Sequence, residues 1–157
     1  MGLPRTFVGF SSADINCYWL MRAWKENEHI DFDFTDCQLP EAVNSDDEAY
    51  VKRCIRVRIN MASTYAMLIG KDTRFQRKFV PWEAEVAIEK KCRLIGINLN
   101  GSRMSDERCP TVLRNVGAVF VPYSPKLVAH ALEHATYHVD QDWIFSSGIY
   151  RRLGYTV

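Results

Sequence analysis

A chain of 157 residues, 47% hydrophobic and 25% charged, has enough apolar material for one core but not two, so a single domain spanning 1–157 is expected. Twenty Lys and Arg against nineteen Asp and Glu leave a net charge of +1, too little to draw the protein directly onto nucleic acid or an anionic membrane. The longest purely apolar run, around Ala66 to Ile69, is far short of the ~20 residues needed to cross a bilayer. The start of the chain lacks the basic-then-apolar pattern of a secretion signal. Its five cysteines (Cys17, Cys37, Cys54, Cys92, Cys109) are odd in number and nowhere form C-x-x-C, as expected of free thiols in a reducing, cytoplasmic compartment.

Thr6 to Phe10 is a short apolar run that reads as a first strand. Ser11 and Asp14 follow with the spacing of a helix N-cap and its N3 partner, and the helix should run to about Asn27. From His29 to Thr35 the residues alternate, with Ile30, Phe32 and Phe34 on one face, which predicts an edge strand wetted on the other. A loop containing Leu39 and Pro40 fills 37–45. The next helix opens on Asp46, Asp47 and Glu48 and closes on arginines, with Tyr50, Cys54, Val57 and Met61 as its predicted buried stripe.

Tyr65 to Gly70, Arg93 to Leu99 and Ala118 to Tyr123 are continuous apolar runs, the pattern of strands covered on both faces. A helix opened by Pro81, a short helical piece near Thr111 to Asn115 and a final helix from about Pro125 complete the chain. Five strands joined by connections long enough for crossovers predict an α/β fold, a flavodoxin-like three-layer sandwich with a parallel sheet of order 2-1-3-4-5. Ligands of such sheets bind beyond the strands' carboxyl ends where the order reverses, which directs attention to residues after strands 1 and 3.

Ser11, Ser12 and Asp14 follow strand 1 and are placed to touch a ligand's phosphates or ribose, although helix capping alone also accounts for them. No G-x-G-x-x-G or Walker sequence follows that strand, which excludes the usual pyrophosphate-cradling loops. Pro81 at the first helical position would place Glu83 at N3, where the helix dipole favours an ionised carboxylate. A capping-box glutamate is the plainer reading, in which case Gln would serve the fold nearly as well. Glu83 and Glu85 flank the helix's buried stripe on opposite sides, so periodicity does not choose between them. Phe79 and Trp82 suit either a wall that stacks on a planar ring or plain core packing. His130, His134 and His138 recur along the last helix, but no further ligand or H-E-x-x-H spacing accompanies them, and no metal is expected.

Three local sequences in this order resemble a TIR-like domain, specifically the TIR-like proteins of the bacterial Thoeris antiphage system, over roughly residues 5 to 124. Phe7 to Asp14 (FVGFSSAD) is similar to the family's first strand and the Asp-containing turn after it. Met67 to Gly70 with Thr73 is similar to the third strand and its loop. Phe79 to Glu83 (FVPWE), then Ile88-Glu89-Lys90 and Leu94 to Ile97, resembles the aromatic-x-x-x-Glu segment, its helix and the fourth strand. Gly9 stands where many TIR domains carry Ser, and Phe79 where Trp is usual, changes that alter the pocket wall.

The resemblance implies that Glu83, not Glu85, is the catalytic carboxylate, with Phe10, Ser11, Ser12, Asp14, Phe79 and Trp82 binding substrate. It implies an enzyme of the NAD+ nucleosidase or ADP-ribosyl cyclase type that cleaves between nicotinamide and ribose. NAD+ would be a substrate and no cofactor is needed. The product would be a cyclic ADP-ribose isomer acting as a diffusible messenger to a separate effector, and the 37–45 loop would support a homo-oligomer. The competing expectation is a non-enzymatic interaction module, since folds of this kind also serve as docking surfaces.

Overall fold

The three continuous apolar runs form adjacent strands of a parallel sheet, buried on both faces, with the last of them at its edge. In this computed structural model, which describes residues 5–27, 34–36 and 47–156, β1 (Arg5–Gly9), β3 (Thr64–Ile69), β4 (Arg93–Asn98) and β5 (Val119–Pro122) pair in parallel. Gly9 is in register with Met67, Ile69 with Asn98, and Asn98 with Pro122. On the other side of β1, two residues form β2 (Thr35–Asp36), with Arg5 opposite Thr35 and Thr6 opposite Asp36. Asp36 is held there by the Tyr18 hydroxyl, which donates to it at 2.5 Å, and by Arg22 at 3.5 Å. Phe34 is buried as its place in the alternating run requires, whereas the rest of that run, 29–33, and the loop 37–45 lie outside the described residues.

Alternation along each strand sends side chains to two cores. One face receives Phe7, Tyr65, Met67 and Ile69 and is covered by α2 (Glu48–Asn60) and α3 (Val80–Glu89). The other receives Val8, Ala66, Leu68, Ile95 and Val121 and is covered by α1 (Ile15–Glu26), α4 (Pro125–His134) and the short α5 (Ser147–Arg152). The result is a parallel α/β sheet with helices on both faces.

Three sequence expectations are corrected. The buried stripe of α2 is Val51, Ile55 and Ile59, while Tyr50, Val57 and Met61 are exposed. Two stripes with near-identical periods compete on this helix, and the aliphatic one, rich in β-branched residues, faces the sheet. The last long helix stops at His134, where Ala135 turns extended, so His138 leaves the series and lies against Trp143 instead. Finally α3 begins one residue early. Phe79 is its N-cap without any side-chain cap, Pro81 is the second helical residue, and the Glu83 amide makes the turn's first bond to the Phe79 carbonyl at 2.8 Å. Glu83 is therefore at N4 and is not a capping-box residue, because Pro fits either of the first two positions, whose N–H groups go unused.

Beyond the strands, Asp142 gathers the backbone N–H groups of Asn115, Val116, Gly117 and Ala118 at 2.7–3.1 Å, a nest formed where Asn115 and Gly117 adopt positive φ. Its neighbour Trp143 then pairs with the edge of β5, accepting from Phe120 and donating to Ala118. This tail covers an otherwise open sheet edge.

Candidate active site

The site lies where β1 and β3 deliver their carboxyl ends beneath the start of α3. The side chains of Phe7 and Tyr65 mark the α3 face of these strands, and a side chain at Gly9 would share it, while Val8 and Phe10 belong to the opposite face. Ser11, with extended backbone, follows directly after β1 and precedes the turn Ser12–Asp14. It is 1% exposed, and none of the described residues hydrogen-bonds its hydroxyl. Neither Ser11 nor Asp14 caps a helix with its side chain, which removes the capping explanation for both. Only the backbone closes the 3-10 turn Ser12–Asp14, with the Asp14 amide donating to the Ser11 carbonyl at 2.8 Å. Ser12 is exposed.

Asp14 instead leans over Gly70 at the end of β3. A Cβ on Gly70 would overlap one carboxylate oxygen of Asp14, so this glycine supplies space. Thr73 joins the two elements: its hydroxyl accepts from the Gly70 amide at 2.9 Å and reaches toward Asp14 at 3.5 Å. Burial raises the Asp14 carboxyl above its ordinary pKa, the neighbouring Asp72 adds to that, and the Thr73 hydroxyl opposes it.

Glu83 and Glu85, which periodicity left equivalent, occupy opposite environments. Glu85 is exposed, whereas Glu83 is 6% exposed and points into the core shared by β1, β3 and α3. Among the described residues none hydrogen-bonds its carboxyl. Burial pushes its pKa well above the ordinary glutamate value. The dipole of α3, worth about 1 kcal/mol, is opposed by this loss of hydration, so burial works against the ionised carboxylate that the local sequence suggests. Burial favours the protonated, neutral form of this group.

The predicted aromatic residues divide. Phe79 and Trp82 are half-buried against the same core as Glu83, and Lys52 and Arg56 of α2 lie 5.5 and 5.4 Å from the centre of the Trp82 ring. Phe10 stacks on Tyr18 of α1 at 4.6 Å and belongs to the other face of the sheet. Sequence reasoning missed Tyr65. It is fully buried and none of the described residues hydrogen-bonds its hydroxyl; burial raises its pKa well above the ordinary tyrosine value, and a charge on Glu83 adds to that. The available signal was a tyrosine inside an aliphatic strand, since its hydroxyl must be accommodated somewhere.

Among the described residues, a cavity of about 250 Å³ lies beside Trp19 and Arg22 of α1 and another of about 290 Å³ between Met104, Phe120 and Trp143. Neither borders Glu83. Among the described residues no group of three His, Cys, Asp or Glu side chains is placed to hold a metal ion, and no helix is long and apolar enough to cross a membrane.

No curated protein matches the chain. A family model described as the TIR-like domain of the Thoeris protein ThsB matches residues 7–104, more than half of the chain, from β1 through the site-bearing α3 to the loop after β4. The chain belongs to the TIR-like domain family of Thoeris ThsB proteins.

Proposed function

We propose that this protein is an antiphage-defence enzyme that cleaves NAD+ at the nicotinamide–ribose bond, with Glu83 as the catalytic carboxylate. The observation that carries the reading is the burial of this one glutamate at the start of α3, beside the carboxyl ends of β1 and β3, within a family-matched segment. A carboxyl whose ionisation burial opposes ionises most readily when a cation enters beside it, and the pyridinium of NAD+ is such a cation. Once ionised, Glu83 opposes the positive charge that develops on the ribose as nicotinamide departs. Nicotinamide leaves as a neutral molecule, so no general acid is required.

Ser11, with its unspent buried hydroxyl, and Asp14, held by Thr73, are the groups for ribose or phosphate oxygens, while Phe79 and Trp82 wall the α3 side. Phe10 and Ser12 contribute from the turn after β1. If the dry site keeps water out while the adenosine end folds back, a nucleophilic atom of that end captures the cation and closes a cyclic ADP-ribose isomer. That product would act as the diffusible messenger to a separate effector in the cytoplasm. The protein would work as a homo-oligomer through the 37–45 loop, on the full flavodoxin-like sheet of order 2-1-3-4-5 of which the β2 pairing is a part.

The test is incubation of the full chain at high concentration with NAD+, followed by chromatographic separation of the products. Nicotinamide together with an ADP-ribose isomer that resists conversion to linear ADP-ribose is expected. Unconsumed NAD+ under all conditions would favour a non-enzymatic interaction module.

A further inference from the structure

Gly9 has no conformational reason to be glycine. The glycines with positive φ are Gly101, Gly117 and Gly154, and Gly9 lies within a regular parallel pairing with β3. Its reason is space. A Cβ at this position would overlap the Tyr65 hydroxyl and stand 3.0 Å from Cζ and 3.2 Å from Cε1 of the same ring. The phenol thus lies across β1 at Gly9, on the face that α3 covers, its ring roughly parallel to that of Phe7 with centroids 6.1 Å apart.

A hydroxyl buried without a partner costs about 1–3 kcal/mol, and Phe would fill the same place without that cost. The hydroxyl is therefore expected to be used in some state of the protein other than this one. The polar group it can serve is identifiable from what surrounds it. α3, whose Val80 and Ala84 share a core with Tyr65, buries the Glu83 carboxyl on that side and leaves Glu85 exposed. From α2, Lys52 and Arg56 lie on the Trp82 ring. From the approach to the 3-10 turn Thr111–Leu113 the buried Cys109 thiol bonds to the carbonyls of Pro110 and Leu113. β1 contributes Phe7 and Gly9, neither of which titrates.

We propose that Tyr65 is a positioning residue for Glu83: its hydroxyl, housed over Gly9, donates a hydrogen bond to the Glu83 carboxylate when that group ionises. The proposal rests on Glu83 being the working carboxylate. A carboxyl that gives up its proton to solvent through its small exposed edge leaves a charge among apolar side chains and needs a donor to receive it, and an unspent phenol in a fixed place supplies one. Burial holds the phenol well above its ordinary pKa, and the Glu83 charge raises it further, so it remains a donor throughout.

Tyr65→Phe keeps the ring and should fold normally. A phenolic hydrogen bond favours the charged carboxylate, so its removal raises the pH at which Glu83 ionises. The acid limb of kcat/KM should move to higher pH. On that limb the variant should be slower by on the order of tenfold or more, converging on the parental rate above it. Gly9→Ala, which displaces the phenol, should reproduce this shift, yet add nothing when combined with Tyr65→Phe. An equal loss of rate at all pH values would mean a merely structural role and would overturn the proposal.

The second readout needs no turnover. The infrared difference between the parental protein and Glu83→Gln isolates the carbonyl stretch of protonated Glu83, and its disappearance with rising pH should shift upward in the Tyr65→Phe background. An unchanged midpoint overturns the role of Tyr65. If the parental protein releases no nicotinamide, the catalytic reading fails by itself, and the infrared titration still decides whether Tyr65 serves Glu83.

Discussion

Glu83→Gln should stabilise the fold, by an amount that grows with pH. The carboxyl is 6% exposed, accepts no hydrogen bond from the described residues, and has its pKa raised by burial. Below the ordinary glutamate pKa both folded and unfolded chains carry the proton, and the site costs nothing. As pH rises, the unfolded chain ionises while the folded one does not, so stability falls until the folded pKa is passed. Each tenfold difference in proton affinity corresponds to about 1.4 kcal/mol. The limit is the cost of an uncompensated buried charge, at most several kcal/mol in real proteins. For a domain of this size a gain of a few kcal/mol raises the melting temperature by roughly 5–10 °C. Gln has the same shape and does not titrate, so the two proteins should melt together near pH 4 and separate towards pH 8, with the variant higher. Thermal melts across that range provide the assay. An ionised carboxylate held by the helix dipole predicts the reverse, a variant that falls behind as pH rises, and that result or a constant offset would refute the reasoning.

Gly70→Ala should lower activity, because its Cβ would overlap one oxygen of the Asp14 carboxylate and stand 2.7 Å from the other. A rise in KM for NAD+ and a stability loss of about 1–3 kcal/mol are expected by kinetics and denaturant unfolding. Asp142→Ala removes the acceptor of four backbone N–H groups and should destabilise by on the order of 3 kcal/mol in the same unfolding assay. Replacing Leu39 and Pro40 by Gly and Ser should leave the melting curve unchanged while lowering activity at low protein concentration; undiminished activity there would remove the loop from the account.

Much of the fold was legible because strands covered on both faces must be continuously apolar. The runs at 65–70, 93–99 and 118–123 became β3, β4 and β5 with shifts of a residue or so at their ends. The face of α2 was not legible, since Val51, Ile55 and Ile59 repeat as regularly as Tyr50, Cys54, Val57 and Met61, and only packing against the sheet distinguishes them. At the site, the sequence narrowed the carboxylate to two candidates but could not assign depth. Local helix electrostatics favours an ionised Glu83, whereas the burial that opposes ionisation comes from packing against strands outside that helix. Tyr65 stayed hidden for the same reason: its relation to Gly9 exists only across the β1–β3 pairing.

The central claim is that Glu83 carries the chemistry, and the measurement closest to it is nicotinamide release from NAD+ by the parental protein, Glu83→Gln and Glu85→Gln at equal, high concentration. Loss of the charge that stabilises the departing ribose cation should cost on the order of 3 kcal/mol or more, a hundredfold or greater drop in rate. Glu85, exposed on the far side of the stripe, should be replaceable at the parental rate. A folded Glu83→Gln protein that releases nicotinamide as fast as its parent would contradict the account.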